Sequence, residues 1–157
     1  MAASVLDTLQ ARLVPASGPP TSSHGTVVFL LAPGELVPVV RRLRDDFGFD
    51  LFLDVTAVDW PQDALRFEVV HHFYSTLHKA RVRLKTRVAE ANAGVDSLVG
   101  LYGSAAFMER ECHDMYGIAF HGNPDLRPIL LYEGFIGHPL RKDYPKNREQ
   151  PLVPYRN

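Results

Sequence analysis

The chain has 157 residues, 46% of them hydrophobic and 22% charged, which is enough for one domain with a sizeable core and excludes disorder as the overall state. Seventeen Lys+Arg against eighteen Asp+Glu leave a net charge of −1, whereas general nucleic-acid binding calls for a basic excess. A single cysteine, Cys112, excludes an internal disulfide and a four-cysteine zinc or iron–sulfur site, and the longest apolar run, 27–32, is far short of a membrane span.

The first residues lack the basic-then-apolar order of a signal peptide, so a soluble, cytoplasmic chain is expected. Residues 5–13 predict a short helix, with Ser4 as N-cap and Val5, Leu6, Leu9 and Leu13 on one face. The composition of 16–24 reads as a linker, and 26–31 as a strand. Leu36, Val39, Val40, Leu43 and Phe47 recur at helical spacing, with Pro38 in the first turn and Gly48 at the stop. Strands are expected at 51–60, 66–74 and 80–88. The last alternates Val82, Leu84 and Thr86 with Arg81, Arg83, Lys85 and Arg87, the pattern of one buried and one solvated face. Helices are expected at 96–102 and 104–116, the second with Ser104 as N-cap and Gly117 as C-cap.

Six of the twelve prolines fall in the last 34 residues, and proline resists both helix and central strand. The expected organisation is a compact α+β domain over 1–122 and an extended, partner-binding tail over 123–157. Its fold class is α+β, a small mainly antiparallel sheet with helices packed on one face, followed by a long extended C-terminal tail.

Few motifs carry chemistry. His71 and His72 are adjacent, so on a strand they face opposite sides and cannot share an ion. An independent metalloenzyme would need His71 or His72 with His113, Asp114 and His121, yet no HxxxH, HExxH or CxxC spacing supports it. Cys112 and His113 are helical neighbours about 100° apart and do not meet, so Cys112 reads as core beside Met108 and Met115. The basic face of 80–88 reads either as a docking site for an acidic partner or as a solvated strand face. The informative stretch is 108–117. Arg110 and Asp114 are four apart and can pair, Glu111 and Asp114 share a face, and Glu111 lies beside the apolar stripe, where burial requires a partner.

Glu109-Arg110-Glu111, then Asp114, then Met115-Tyr116-Gly117-Ile118 resembles the signature of the small hydrophilic C subunit of respiratory complex I. This is the thirty-kilodalton subunit of the proton-pumping NADH:quinone oxidoreductase. Residues 120–130 are similar to the same signature's second half, 137–145 to the family's tail motif, and 53–61 to its central strand and turn. Two positions depart from the pattern: Asn123 stands where His or Lys is usual, and Pro128 where Arg is frequent.

The resemblance implies a non-redox structural subunit of the peripheral arm, held peripherally on the cytoplasmic side of the bacterial inner membrane without direct membrane insertion. FMN, the Fe–S clusters and the quinone pocket then lie on other subunits, and this chain has no catalytic, cofactor-binding or metal residue. The implied partners are the D-type (forty-nine-kilodalton) and B-type subunits, with the I-type ferredoxin-like subunit as a further neighbour and no nucleic acid. The signature positions expected to serve assembly are Glu109, Arg110, Glu111, Asp114, Gly117, Arg127, Gly137, His138, Pro139, Leu140, Arg141, Lys142, Asp143 and Tyr144. The equivalent subunit of a related membrane-bound hydrogenase or other quinone-reducing complex is the alternative.

On this reading the tail's apolar side chains contact the D-type subunit, while Arg141, Lys142 and Asp143 bond to it. Glu109, Arg110, Glu111 and Asp114 fix the helix against the sheet, with Arg127 or Arg141 as cationic partners, or touch the quinone or proton-transfer machinery. Truncation after Leu126 is expected to abolish assembly and leave the domain folded.

Overall fold

A computed structural model of the chain describes residues 5–13, 18–147 and 150. Its centre is a sheet of β1 (Thr21–Ser23), β2 (Thr26–Leu31), β3 (Leu51–Asp59), β4 (Phe67–Ser75) and β5 (Ala80–Val88), in the order β1-β2-β5-β4-β3. Every pairing is antiparallel except β2 with β5. The chain reaches that parallel pairing by crossing the sheet after β2 and returning through the β3-β4-β5 meander. Alternation sets which face is buried. Phe67, Val69 and Phe73 of β4 and Val82, Leu84 and Val88 of β5 point into one core with Leu36, Val40 and Leu43 of α2 (Leu36–Asp45) and Leu9 of α1 (Val5–Arg12). A third helix, α3 (Ala105–Tyr116), packs along β3. The expected α+β class, with a mainly antiparallel sheet, is what forms.

The turn that follows α2 closes at Gly48, the expected stop. With φ at +68°, Gly48 donates its N–H to Arg44 O, and Phe49 donates to Leu43 O. On the open face the basic row of β5 is answered across the sheet. Lys85 bonds Glu68 at 2.7 Å, Arg87 bonds Asp63 at 2.6 Å, Arg83 donates to His72, and Arg81 lies over Tyr74. Each cation of this face thus has a neighbour of its own, two of them carboxylates, so the row is not a bare basic patch.

Four expectations change. Part of the 16–24 linker is β1, joined to β2 by a two-residue turn in which His24 and Gly25 both take positive φ. Residues 96–102 are not a helix: β6 (Gly94–Asp96) pairs in parallel with β7 (Ala119–His121), and a turn follows in which Leu101 and Tyr102 donate to Leu98 O. Ser104 precedes α3 but makes no capping bond; its hydroxyl reaches Phe52 O instead. Glu111 is exposed: apart from Asp114, which the tail covers, the buried residues of α3 are Ala105, Glu109 and Cys112. Those positions are spaced i, i+4, i+7, so the stripe leaves Glu111 on the solvent side. Ser4 lies outside the described residues.

Candidate functional site

Glu109 is fully buried and has no cationic partner among the described residues. Its carboxylate accepts from Leu98 N–H at 2.7 Å, Ser97 Oγ–H at 2.7 Å and Asn123 Nδ2–H at 2.9 Å. Burial pushes its pKa up, and those three donors pull it back. One side chain thus ties α3 to the turn after β6 and to the start of the tail. Asn123, a departure from the expected pattern, is one of its three donors.

Asp114, also buried, meets the tail further along the helix. Its Oδ2 accepts from three consecutive backbone amides, those of Ile129, Leu130 and Leu131, at 3.1, 3.0 and 2.9 Å. Successive amides aimed at one oxygen form a nest for an anion, filled here by the chain's own carboxylate. Arg110 does not pair with Asp114. Its guanidinium donates to the carbonyls of Arg127 and Pro128, both at 3.0 Å, fixing the same stretch from the other side.

The end of α3 is closed by the tail as well. A helix leaves its last carbonyls without partners, and here the 138–141 segment supplies them in order. His138 Nδ1–H donates to Asp114 O at 2.9 Å, Leu140 N–H to Met115 O at 3.2 Å, and Arg141 Nε–H to Tyr116 O at 2.6 Å. A cation at this negative helix end is favourable in its own right. Gly117 is required twice: its φ of +73° is the left-handed cap, and a Cβ there would run into the His138 ring and lie 2.7 Å from Arg141 Nη2.

Beyond the cap, the tail reaches the β3-β4 hairpin. Arg66 grips Asp59 with two bonds of 2.8 and 2.9 Å and also pairs with Glu90 and Asp143, each at 2.9 Å. Asp59 in turn accepts Lys142 N–H at 2.7 Å. The guanidinium carbons of Arg66 and Arg141 lie 5.0 and 4.9 Å from the Phe67 ring centroid. Arg66 holds the Asp59 and Asp143 carboxyls below the usual carboxylate range, and its own pKa is raised in return, chiefly by Asp59.

Most signature residues therefore converge, but on their own chain. Arg141 and Asp143, expected to bond a neighbouring protein, bond Tyr116 and Arg66; Lys142 uses its amide on Asp59, with its side chain exposed. Neither Arg127 nor Arg141 pairs with the helix carboxylates, because backbone amides and small polar groups already satisfy them. Arg127 instead pairs with Asp125 on the exposed flank. Gly137 turns with φ +97° against the Tyr144 ring, Pro139 is half-buried, and Glu111 stands apart. Truncation after Leu126 would strip the cap from α3 and two partners from the Asp59–Arg66 pair, so the domain would lose contacts of its own along with the tail.

Asp59, Arg66 and Glu90 join this cluster, although the sequence does not single them out. Their signal is faint: an acid and an arginine bracketing a hairpin loop, with Asp59 opposite Phe67 in the register. The histidines do not converge. His71 is buried in the core with its pKa lowered by burial to about 3, His72 faces outward between Asp54 and Arg83, and His113 bonds Ile118 O. Among the described residues no three His, Cys, Asp or Glu side chains form a metal-holding group.

Residues 29–150 match the family described as Respiratory-chain NADH dehydrogenase, 30 Kd subunit. The C subunit of NADH-quinone oxidoreductase from Rhodopseudomonas palustris (strain TIE-1) is 43% identical over 146 residues, covering 89% of this chain and 71% of its own length. The first of the NADH-quinone oxidoreductase C subunits of Rhizobium etli (strain CIAT 652) is 50% identical over 119 residues, covering 74% of this chain but only 59% of the relative. Among solved structures, a trypsin-resistant fragment (1-134) of Nqo5 superposes with a TM-score of 0.67 at 26% identity, covering 78% of this chain and 96% of the fragment.

Proposed function

The chain belongs to the family of the 30-kDa subunit of respiratory-chain NADH dehydrogenase, and we propose that it serves that complex as a non-redox scaffold whose tail docks a neighbouring subunit. It is a subunit of NADH-quinone oxidoreductase in the peripheral arm, and other subunits of that complex are its partners. Both relatives described above belong by name to that oxidoreductase, which favours this complex over a hydrogenase. Among the described residues no helix is long and apolar enough to cross a membrane.

The observation that carries the docking reading is a division of labour within the tail. Its backbone and Arg141 and Asp143 are taken up by the domain, while several of its apolar side chains face solvent. Leu130 is 63% exposed, Ile136 64% and Leu140 50%. Apolar groups held outward along one segment mark a contact surface. In our reading these side chains lie against the D-type subunit, the B-type subunit is nearby, and the I-type ferredoxin-like subunit is a further neighbour. FMN and the Fe–S clusters reside on other subunits, which suits a chain whose sole cysteine is buried with its thiol pushed up by that burial. The complex is held on the cytoplasmic side of the inner membrane.

The test replaces Leu130 and Ile136 together by serine in the full chain. Both side chains are exposed, so thermal unfolding of the isolated chain should stay within a few degrees of the parent. Recovery of the variant in the membrane-bound complex should fall at least about tenfold, as for central contacts of an interface. Undiminished recovery would refute tail docking.

A further inference from the structure

The stretch from 128 to 141 is held at both ends and along its middle by hydrogen bonds that leave its outward side chains unused. At the near end, Arg110 holds the carbonyls of Arg127 and Pro128 while Asp114 gathers the amides of 129–131. In the middle, Gln150 accepts Ile136 N–H at 3.0 Å and donates to Ile136 O at 2.8 Å. Phe135 packs inward between Tyr132 and Tyr144, and His138, Leu140 and Arg141 close the far end on α3. Of these restraints only the Asp114 nest imposes a backbone shape on consecutive residues. Three amides can meet one oxygen only if the chain curls around it.

We propose that Asp114 is a positioning residue, whose carboxylate folds residues 129–131 into a preformed docking loop that offers Leu130 and Ile136 to an apolar groove on a neighbouring subunit. This rests on the tail-docking reading above and adds how the loop is made ready. Without the nest, the residues around Pro128 would sample many shapes, and binding would bear the cost of ordering them. With it, that ordering is complete before the partner arrives. The partner's chemistry follows from what the surface presents. Further along the same tail Lys142 and Lys146 are exposed with no ion-pair partner among the described residues, so the groove it fits is apolar, with carboxylates toward the 142–146 end.

The test uses the full chain, alone and in the assembled complex. Asp114→Ala should speed amide exchange at Ile129, Leu130 and Leu131 by about tenfold or more, with β4 amides unchanged. In the parent chain a cavity of about 270 Å³, lined by Asp114, His113, Leu126 and Leu131 among others, already adjoins the nest. Sodium formate should therefore re-enter the nest and restore protection at the three amides, where sodium chloride at equal ionic strength does not. Recovery of the variant in the membrane complex should fall about tenfold. Asp114→Asn, which keeps the shape of the side chain but loses its charge, guards against a folding defect and should show a smaller loss of the same kind.

Unchanged exchange at the three amides in both variants would overturn the nest. Lost protection with full recovery in the complex would overturn the positioning role, even if the Leu130/Ile136 double variant still fails to assemble. Full recovery of that double variant would overturn tail docking itself, whatever the exchange data show.

Discussion

Replacing Gly117 by alanine is a sharp probe of the junction between α3 and the tail. Two costs can be separated. The left-handed backbone at φ +73° is strained for any residue with a Cβ, by about 1 to 2 kcal/mol. The second cost is steric. The new methyl group would overlap the His138 ring and come within 2.7 Å of Arg141 Nη2, so both side chains must move. Their movement breaks the bonds to Asp114 O and Tyr116 O. One is an ordinary hydrogen bond worth about 1 kcal/mol, and the other is charge-assisted and worth about 1.5 kcal/mol or more. The total is about 3 to 5 kcal/mol, a large part of the stability of a domain this size.

Urea unfolding of the full chain measures that loss, and a mutant cycle divides it. With His138 and Arg141 both changed to alanine, the steric cost disappears, and Gly117→Ala should then destabilise by only about 1 to 2 kcal/mol. Gly100→Ala is the control. It has no positive φ and nothing within 4 Å of an added Cβ, so its effect should stay within about 0.5 kcal/mol. An equal cost for Gly117→Ala in both backgrounds would refute the claim that the tail motif caps the helix.

Acid should release the tail before it unfolds the sheet. Asp59 and Asp143 are held below the ordinary carboxyl value of 3.8, so their contribution is complete above that value and is lost as pH falls through their lower folded values. Protease sensitivity of residues 140–147 against pH reads this, and Asp59→Asn should flatten the dependence while costing about 3 kcal/mol, since it leaves Arg66 short of its buried partner. Glu109 has the opposite sign: its folded pKa is raised, so its contribution diminishes as pH rises from 4.5 through the folded value. Glu109→Gln should destabilise by about 1 to 3 kcal/mol in urea unfolding, because an amide nitrogen would face donors that now meet an acceptor. Glu111→Gln, on the exposed side, should change stability by less than about 0.5 kcal/mol.

The strands and α2 are legible in the sequence because one face of each is buried and the other is wet. Alternation in 80–88 and the 36–47 spacing translate directly into which side chains enter the core. β1 is not legible, since Thr21-Ser22-Ser23 has the composition of a linker and its pairing depends on the His24-Gly25 turn. β6 and β7 are three residues each and find each other across α3, a distance no local pattern encodes. In α3 the apolar residues suggest a stripe of Met108, Cys112 and Met115, which points to Glu111, whereas the helix buries Glu109. The signature motifs are legible as motifs, but their internal contacts are not. A carboxylate accepting backbone amides leaves no mark on the identity of the residues that donate them.

That mode of satisfaction explains how the tail holds a shape at all. No side chain of 121–147 is fully buried, so hydrophobic burial supplies little of the ordering. Directional bonds supply it instead. Asp114 takes the amides of 129–131 and Asp59 that of Lys142, so two carboxylates at separate points fix tail main chain, while Glu109 holds the Asn123 side chain at its start. A segment fixed through its backbone keeps its side chains free. Substitutions that bear on the tail should accordingly divide into two groups. Changes at Asp59, Asp114 or Gly117 alter the shape of the free chain, whereas changes at Leu130, Ile136 or Leu140 leave that shape alone and register only when the neighbouring subunit is present.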